Sequence, residues 1–174
     1  MGYVLKNLNL IDGTGGPVVN NAVVVVEGTK IKAVGKEGEV EYPADYEVLD
    51  LGGKTVLPGM VEAHVHIGMN GEPAMETIML KETLPMTTIK ASVYAQKDLM
   101  AGFTTIRTMG DKGFLDVALK RAIDAGIIDG PRMRVSGQIL SITGGHGDIA
   151  LPPEVTFTGW SAIVDSPDEA RKAA

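Results

Sequence analysis

From residue 58 onward the chain alternates strand-like and helix-like segments, and that alternation narrows its fold more than any other feature. The apolar run Thr55-Val56-Leu57-Pro58-Gly59-Met60-Val61-Glu62-Ala63-His64-Val65-His66-Ile67 turns at Pro58-Gly59 and then reads as a strand. A helix is expected from about Thr87 to Met100, with Ile89, Val93 and Met100 on one side. Phe103-Thr104-Thr105-Ile106-Arg107, entered through Ala101-Gly102, is a second strand. Leu115, Ala118, Leu119, Ala122 and Ile123 have amphipathic helical spacing, with Gly126 as the C-terminal stop. Arg132 to Leu140 is read as one third strand. Such spacing is the sequence form of βαβ units, so an α/β fold with a parallel sheet and crossover helices is expected.

His64 and His66 close the first of these strands. Side chains two apart on a strand project to one face, so both imidazoles aim at a point where one divalent cation could sit. Neutral imidazole is the commonest protein ligand for borderline metals. An isolated His-x-His is explained as well by two histidines that happen to alternate. Here the alternation places Val61, Ala63, Val65 and Ile67 on one face and Glu62, His64 and His66 on the other. Three ionisable groups on a short buried strand are costly without a metal or polar cavity to receive them.

Residues 1–57 read differently, as a small all-β module. Tyr3–Leu10, Ala22–Val26, Lys30–Val34 and Tyr46–Leu51 are short strand segments, the last ending before Gly52-Gly53. Gly13-Thr14-Gly15-Gly16 lacks the third glycine and the following helix of a dinucleotide loop, which leaves a turn.

Composition excludes several function classes. At 174 residues and 44% hydrophobic, the chain can build one good core, or one small and one partial domain. A net charge of −6 without a basic stripe argues against nucleic acid or an anionic membrane as the main partner. With no cysteine, thiol catalysis and zinc fingers are excluded, and any metal falls to His and oxygen ligands. The start Met1-Gly2-Tyr3-Val4-Leu5-Lys6-Asn7 is unlike a signal peptide and no apolar run reaches membrane-spanning length, so a cytoplasmic location is the default expectation.

The segment Leu57-Pro58-Gly59-Met60-Val61-Glu62-Ala63-His64-Val65-His66 resembles the first barrel strand of the amidohydrolase superfamily of metal-dependent hydrolases. The family more often has Asp where this chain has Glu62. Ala101–Arg107 and Gly130-Pro131-Arg132-Met133-Arg134-Val135 resemble its second and third strand entries, so the resemblance covers nearly the whole chain. It implies that residues 1–57 are a segment of a composite β-sandwich and that residues 58–174 are the first strands and helices of an incomplete (β/α)8 TIM-type barrel, whose chemistry sits at the C-terminal strand ends. It implies His64 and His66 as ligands of a pair of divalent ions, zinc above all. The remaining ligands would be a carboxylated lysine, two histidines and an aspartate from later strands. A bridging water would then attack an amide carbonyl as hydroxide. Assembly as a homo-oligomer is also implied.

His146, the last histidine, stands in Ser141-Ile142-Thr143-Gly144-Gly145-His146-Gly147-Asp148, directly after the expected third strand. Glycines bring backbone close to a ligand, so the residue either contacts substrate or is a turn histidine in solvent. The loop resembles that of the branch containing Xaa-Pro dipeptidases, Xaa-Arg carboxypeptidases and imidazolonepropionase-like enzymes, which implies binding of a substrate carbonyl or carboxylate. Arg107 either binds a substrate carboxylate as a bidentate donor or forms a structural ion pair with Asp111. Asp148 either orients His146 or caps the loop. Met69, Met75, Met79 and Met86 either line an adaptable pocket or fill core.

Ser166-Pro167-Asp168-Glu169 has the signature of a helix start, yet barely more than a turn follows before Ala174. A three-stranded parallel sheet would also expose an open edge. The expectation is the N-terminal part of a binuclear metal-dependent amidohydrolase that cleaves a C–N bond in a dipeptide-like or other small substrate, completed by the missing barrel half or a complementing chain. The alternatives are a cyclic-amide hydrolase, as in imidazolonepropionase-like enzymes, and a non-catalytic scaffold of the same fold.

Overall fold

The computed structural model describes residues 2–73, 77, 80–152 and 154–174. The chain divides into two compact units, Met1–Pro58 and Gly59–Ala174. The first is a four-stranded sheet of β1 (Gly2–Leu10), β2 (Val19–Glu27), β3 (Lys30–Lys36) and β4 (Glu47–Val56), in the order β3-β2-β1-β4. β2 is antiparallel to both neighbours, while β1 and β4 are parallel. The run Ala22-Val23-Val24-Val25 is buried throughout, which makes β2 a central strand with apolar residues on both faces. Ala22 and Val24 join Leu8 and Leu10 in one cluster, Val23 and Val25 join Val4 in another. Gly52-Gly53 does not end β4 as the sequence suggested. It forms a bulge, with Lys6 opposite Asp50 but Leu8 opposite Lys54, and the Asp50 carboxylate accepts Asn7 Nδ2 and Gly52 N at 2.8 Å each in place of ladder bonds.

The second unit carries β5 (Met60–Val65), α1 (Leu84–Met100), β6 (Phe103–Thr108), α2 (Leu115–Asp124) and β7 (Arg132–Arg134), with a parallel sheet in the order β5-β6-β7. The helices pack on one sheet face around Ile67, Ala91, Ala95, Ile106, Leu115, Leu119 and Met133. Each large aliphatic side chain there contributes about 1.5–3 kcal/mol by its burial. The face that α1 buries differs from expectation. Ala91 and Ala95 are fully buried, whereas Ile89, Val93 and Met100 are exposed. Small side chains one turn apart allow a closer approach of helix to sheet than the bulky stripe would. In α2, Leu115 and Leu119 are buried as expected and Ala118 is exposed. Ile127 N donates to Ala122 O at 2.9 Å and Gly126 N to Ile123 O at 2.9 Å, closing the helix at its glycine.

The expected third strand, Arg132 to Leu140, is two strands. β7 ends at Arg134, and β8 (Ile139–Ser141) pairs in parallel with β9 (Ser161–Ile163) in a separate sheet. The break falls where Gly137, at φ +72°, gives its N–H to Asp116 Oδ2 (3.1 Å) and its carbonyl to Asp111 N (3.0 Å). Backbone groups claimed by a buried network cannot extend a ladder. α3 (Pro167–Ala173) begins as the capping pattern predicts, with Ser166 Oγ accepting from Glu169 N at 3.3 Å. Among the described residues no helix is long and apolar enough to cross a membrane.

Candidate metal centre

His64 lies at the C-terminal end of β5 and His66 one residue beyond it, with ring centroids 5.5 Å apart and ring planes at 68°. His66 Nδ1 is 2.7 Å from Gly110 O. A carbonyl only accepts, so Nδ1 carries the proton and Nε2 keeps its lone pair, the tautomer a cation needs. Gly110 has no alternative at its position: φ is +114°, and a Cβ would stand 2.2 Å from Ile139 Cγ1. Trp160 covers His66 with ring centroids 5.4 Å apart at a 35° tilt, and is itself buried. Sequence reasoning passed over this residue. The signal was there, since it is the chain's sole tryptophan and follows a glycine; Gly159 O accepts from Gly113 N at 2.7 Å.

The exit of β5 is gripped by the loop after β6. Met109 N donates to Val65 O at 2.9 Å, and the Asp111 carboxylate accepts Ile67 N (3.1 Å) and Gly68 N (2.8 Å). Burial pushes the Asp111 carboxyl up to about 7, with the Asp116 charge adding to it, against the two N–H bonds that favour the anion. Asp116, also buried, accepts Thr108 Oγ1 at 2.7 Å and Val117 N at 2.9 Å. The Asp111 ion pair considered for Arg107 does not form: both Asp111 oxygens serve backbone N–H groups, and Arg107 is exposed with Nε on Ala63 O at 2.7 Å. Alternation explains it, because Ile106 and Thr108 take the buried face and turn Arg107 to the other.

Glu62 is a second correction. The ladder sets Glu62 opposite Ile106 and Val65 opposite Thr108, so three steps of β5 match two of β6. Neighbours across a parallel ladder share a face, which puts Glu62 on the helix-covered side, away from His64 and His66. Its carboxylate accepts His64 N at 3.1 Å at the bulge, and the carboxyl of Asp98, on α1, is raised above its ordinary range by burial first and by the Glu62 charge second. Of the supposed apolar face, Val65 and Ile67 pack against the core while Val61 and Ala63 are exposed.

His146 is exposed in a turn that Asp148 closes, Oδ2 accepting Gly144 N at 2.8 Å, which is the capping role for Asp148. Asp165 accepts Thr143 N (2.8 Å) and Oγ1 (2.6 Å), and these bonds hold its carboxyl below the usual range. A cavity of about 570 Å³ beside His66 is lined by Val65, Ile67, Met69, Tyr94 and Asp98 among others. Met86 lines a different cleft from the cavity that Met69 lines; Met75 and Met79 lie outside the described residues. Among the described residues no group of three or more His, Asp or Glu converges on a point. Two adjacent imidazoles, one with a fixed tautomer, fit half of a divalent cation's ligand set.

Residues 55–174 match the model of the Amidohydrolase family, and the chain belongs to that family. Ochratoxinase of Aspergillus niger is 30% identical over 183 aligned residues, which cover 94% of this chain and 37% of that protein. Imidazolonepropionase of Rhizobium rhizogenes is 35% identical over 69 residues, 39% of this chain and 17% of that protein. The crystal structure of a Xaa-Pro dipeptidase with methionine bound in its active site is similar at a TM-score of 0.83 and 29% identity, covering 99% of this chain and 43% of that one. The chain thus spans less than half the length of the relatives it matches.

Proposed function

We propose that these residues are the N-terminal part of a metal-dependent amidohydrolase that hydrolyses a C–N bond in a dipeptide-like substrate. On this reading β5 to β7 open a (β/α)8 barrel, and residues 1–57 belong to a composite β-sandwich. The observation that carries it is the pair of imidazoles at a parallel strand's C-terminal end, with His66 Nδ1 tied to Gly110 O. His64 and His66 would hold one divalent cation of a two-ion set, zinc being the ion that suits imidazole without cysteine. When bound, the metal lowers the pKa of a water toward neutrality and polarises the carbonyl under attack.

Orienting the ligands and the substrate falls to the chain's own residues. Gly110 O keeps the His66 proton on Nδ1, and Trp160 shields the ring from solvent. Arg107, tethered through Nε to Ala63 O, presents its remaining N–H groups as a fork for a substrate carboxylate, and His146 is the second substrate contact. A dipeptide-like substrate is preferred to a cyclic amide on the likeness of the fold to that of a Xaa-Pro dipeptidase, over 99% of the chain at 29% identity.

The test uses the complete protein. His64→Ala and His66→Ala are expected to lower bound zinc, measured by elemental analysis, and to abolish hydrolysis of Xaa-Pro and N-acyl amino acid substrates. Unchanged zinc content with full turnover removes the ligand assignment. His146→Ala is expected to impair turnover at normal metal content.

A further inference from the structure

We infer that Asp111 is a positioning residue for His66, acting through the two backbone N–H groups that follow that histidine. The inference rests on the metal-centre reading above and deepens it. β5 ends at Val65, so His66, Ile67 and Gly68 have left the strand. What holds them is three consecutive residues after β6. Met109 N donates to Val65 O, Gly110 O accepts a hydrogen bond from His66 Nδ1, and the Asp111 carboxylate accepts from Ile67 N and Gly68 N at 3.1 and 2.8 Å. Asp111 is the only one of the three to act through its side chain, and it is 1% exposed.

The geometry suits a carboxylate in particular. Two successive N–H groups converge on its two oxygens, whereas an amide in the same place offers one acceptor and turns its NH2 toward the other N–H. The site has no slack for a longer acid: a Cβ at Gly68 would lie 3.0 Å from Asp111 Oδ1 and 3.2 Å from Leu115 Cδ2 and Thr87 Cγ2. Asp111 N is bonded in turn to Gly137 O at 3.0 Å, so the grip is anchored to the segment after β7. Releasing Ile67 N and Gly68 N therefore frees the β5 exit and lets the His66 ring drift from Gly110 O. A ligand that is no longer held in place binds metal more weakly whatever the state of the core.

The experiment measures Zn2+ and Co2+ affinity, and the visible spectrum of the Co2+ form, in the complete protein. Asp111→Asn is expected to raise the metal Kd by between about ten- and hundredfold and to alter the Co2+ spectrum. Leu119→Ala lowers Tm through the buried sheet-to-helix core and is expected to leave Kd and spectrum as in the wild type. A folded Asp111→Asn protein with wild-type Kd and spectrum overturns the inference. So does an equal loss of affinity in Leu119→Ala, since that makes the effect one of global stability. His64→Ala separates the two readings: if it abolishes binding while Asp111→Asn is silent, only the positioning role falls, and if it too is silent, the metal centre falls and takes the positioning role with it. Should Asp111→Asn not fold, Gly68→Ala presses a methyl group on the same contact, and an unchanged Kd in it is equally fatal.

Discussion

His66 Nδ1 and Gly110 O, 44 residues apart in sequence, lie 2.7 Å apart, and this bond ties the imidazole at the end of β5 to the loop after β6. It sets the tautomer of the ring before any ligand arrives.

Gly110→Ala is therefore expected to act on both the fold and the centre. The new methyl group meets Ile139 Cγ1 at 2.2 Å on a residue at φ +114°. Strain of this kind costs about 1–3 kcal/mol, with overpacking adding a similar amount. Thermal denaturation should show a lower Tm, and metal titration a weaker site, because the carbonyl that accepts the hydrogen bond from His66 Nδ1 must shift.

Trp160 is the only tryptophan of these 174 residues and its ring centroid lies 5.4 Å from that of His66, close enough for its fluorescence to report on the site. Adding Zn2+ to metal-free protein is expected to change its fluorescence. His66→Ala should erase that change; a response that survives in the variant means the metal sits elsewhere.

Asp111 predicts a pH dependence of stability. Its carboxyl is pushed up to about 7, above the ordinary value of 3.8, so between about pH 4 and 7 the folded state holds a proton that the unfolded chain releases, and above that window Asp111 is the carboxylate that Ile67 N and Gly68 N grip. The contribution is fully present below pH 4 and is lost as pH rises through about 7, to a total of about 4 kcal/mol. Denaturant unfolding of metal-free protein from pH 4 to 8 should show the decline, and Asp111→Asn should flatten it.

Glu62→Gln tests the bulge in β5. The retained Oε1 can still accept His64 N, and the lost charge no longer bears on Asp98. NMR titration should show the Asp98 carboxyl moving down toward its ordinary range while metal affinity is unchanged. A large loss of affinity would return Glu62 to the face of the histidines.

Much of the second unit was legible because its signals are local. The strand character of β5 and β6, the spacing of Leu115 and Leu119, the stop at Gly126 and the cap at Ser166 each depend on residues within a turn or two of one another. Ala91 and Ala95 were not legible as the buried stripe of α1, because how closely a helix approaches its sheet is set by the partner surface. The split of the third strand was hidden for a similar reason: Gly137 is captured by Asp116, 21 residues earlier.

What the chain's sequence determined unaided is a strand that closes on His64 and His66, whose rings lie 5.5 Å apart although β5 itself ends at Val65. Tertiary structure alone decided the surroundings. Pairing with β6 introduced the bulge that turned Glu62 to the helices, and segments remote in sequence supplied Gly110, Asp111 and Trp160 around His66. Periodicity describes one strand at a time, whereas a ladder's register and the neighbours of a side chain are properties of several segments packed together.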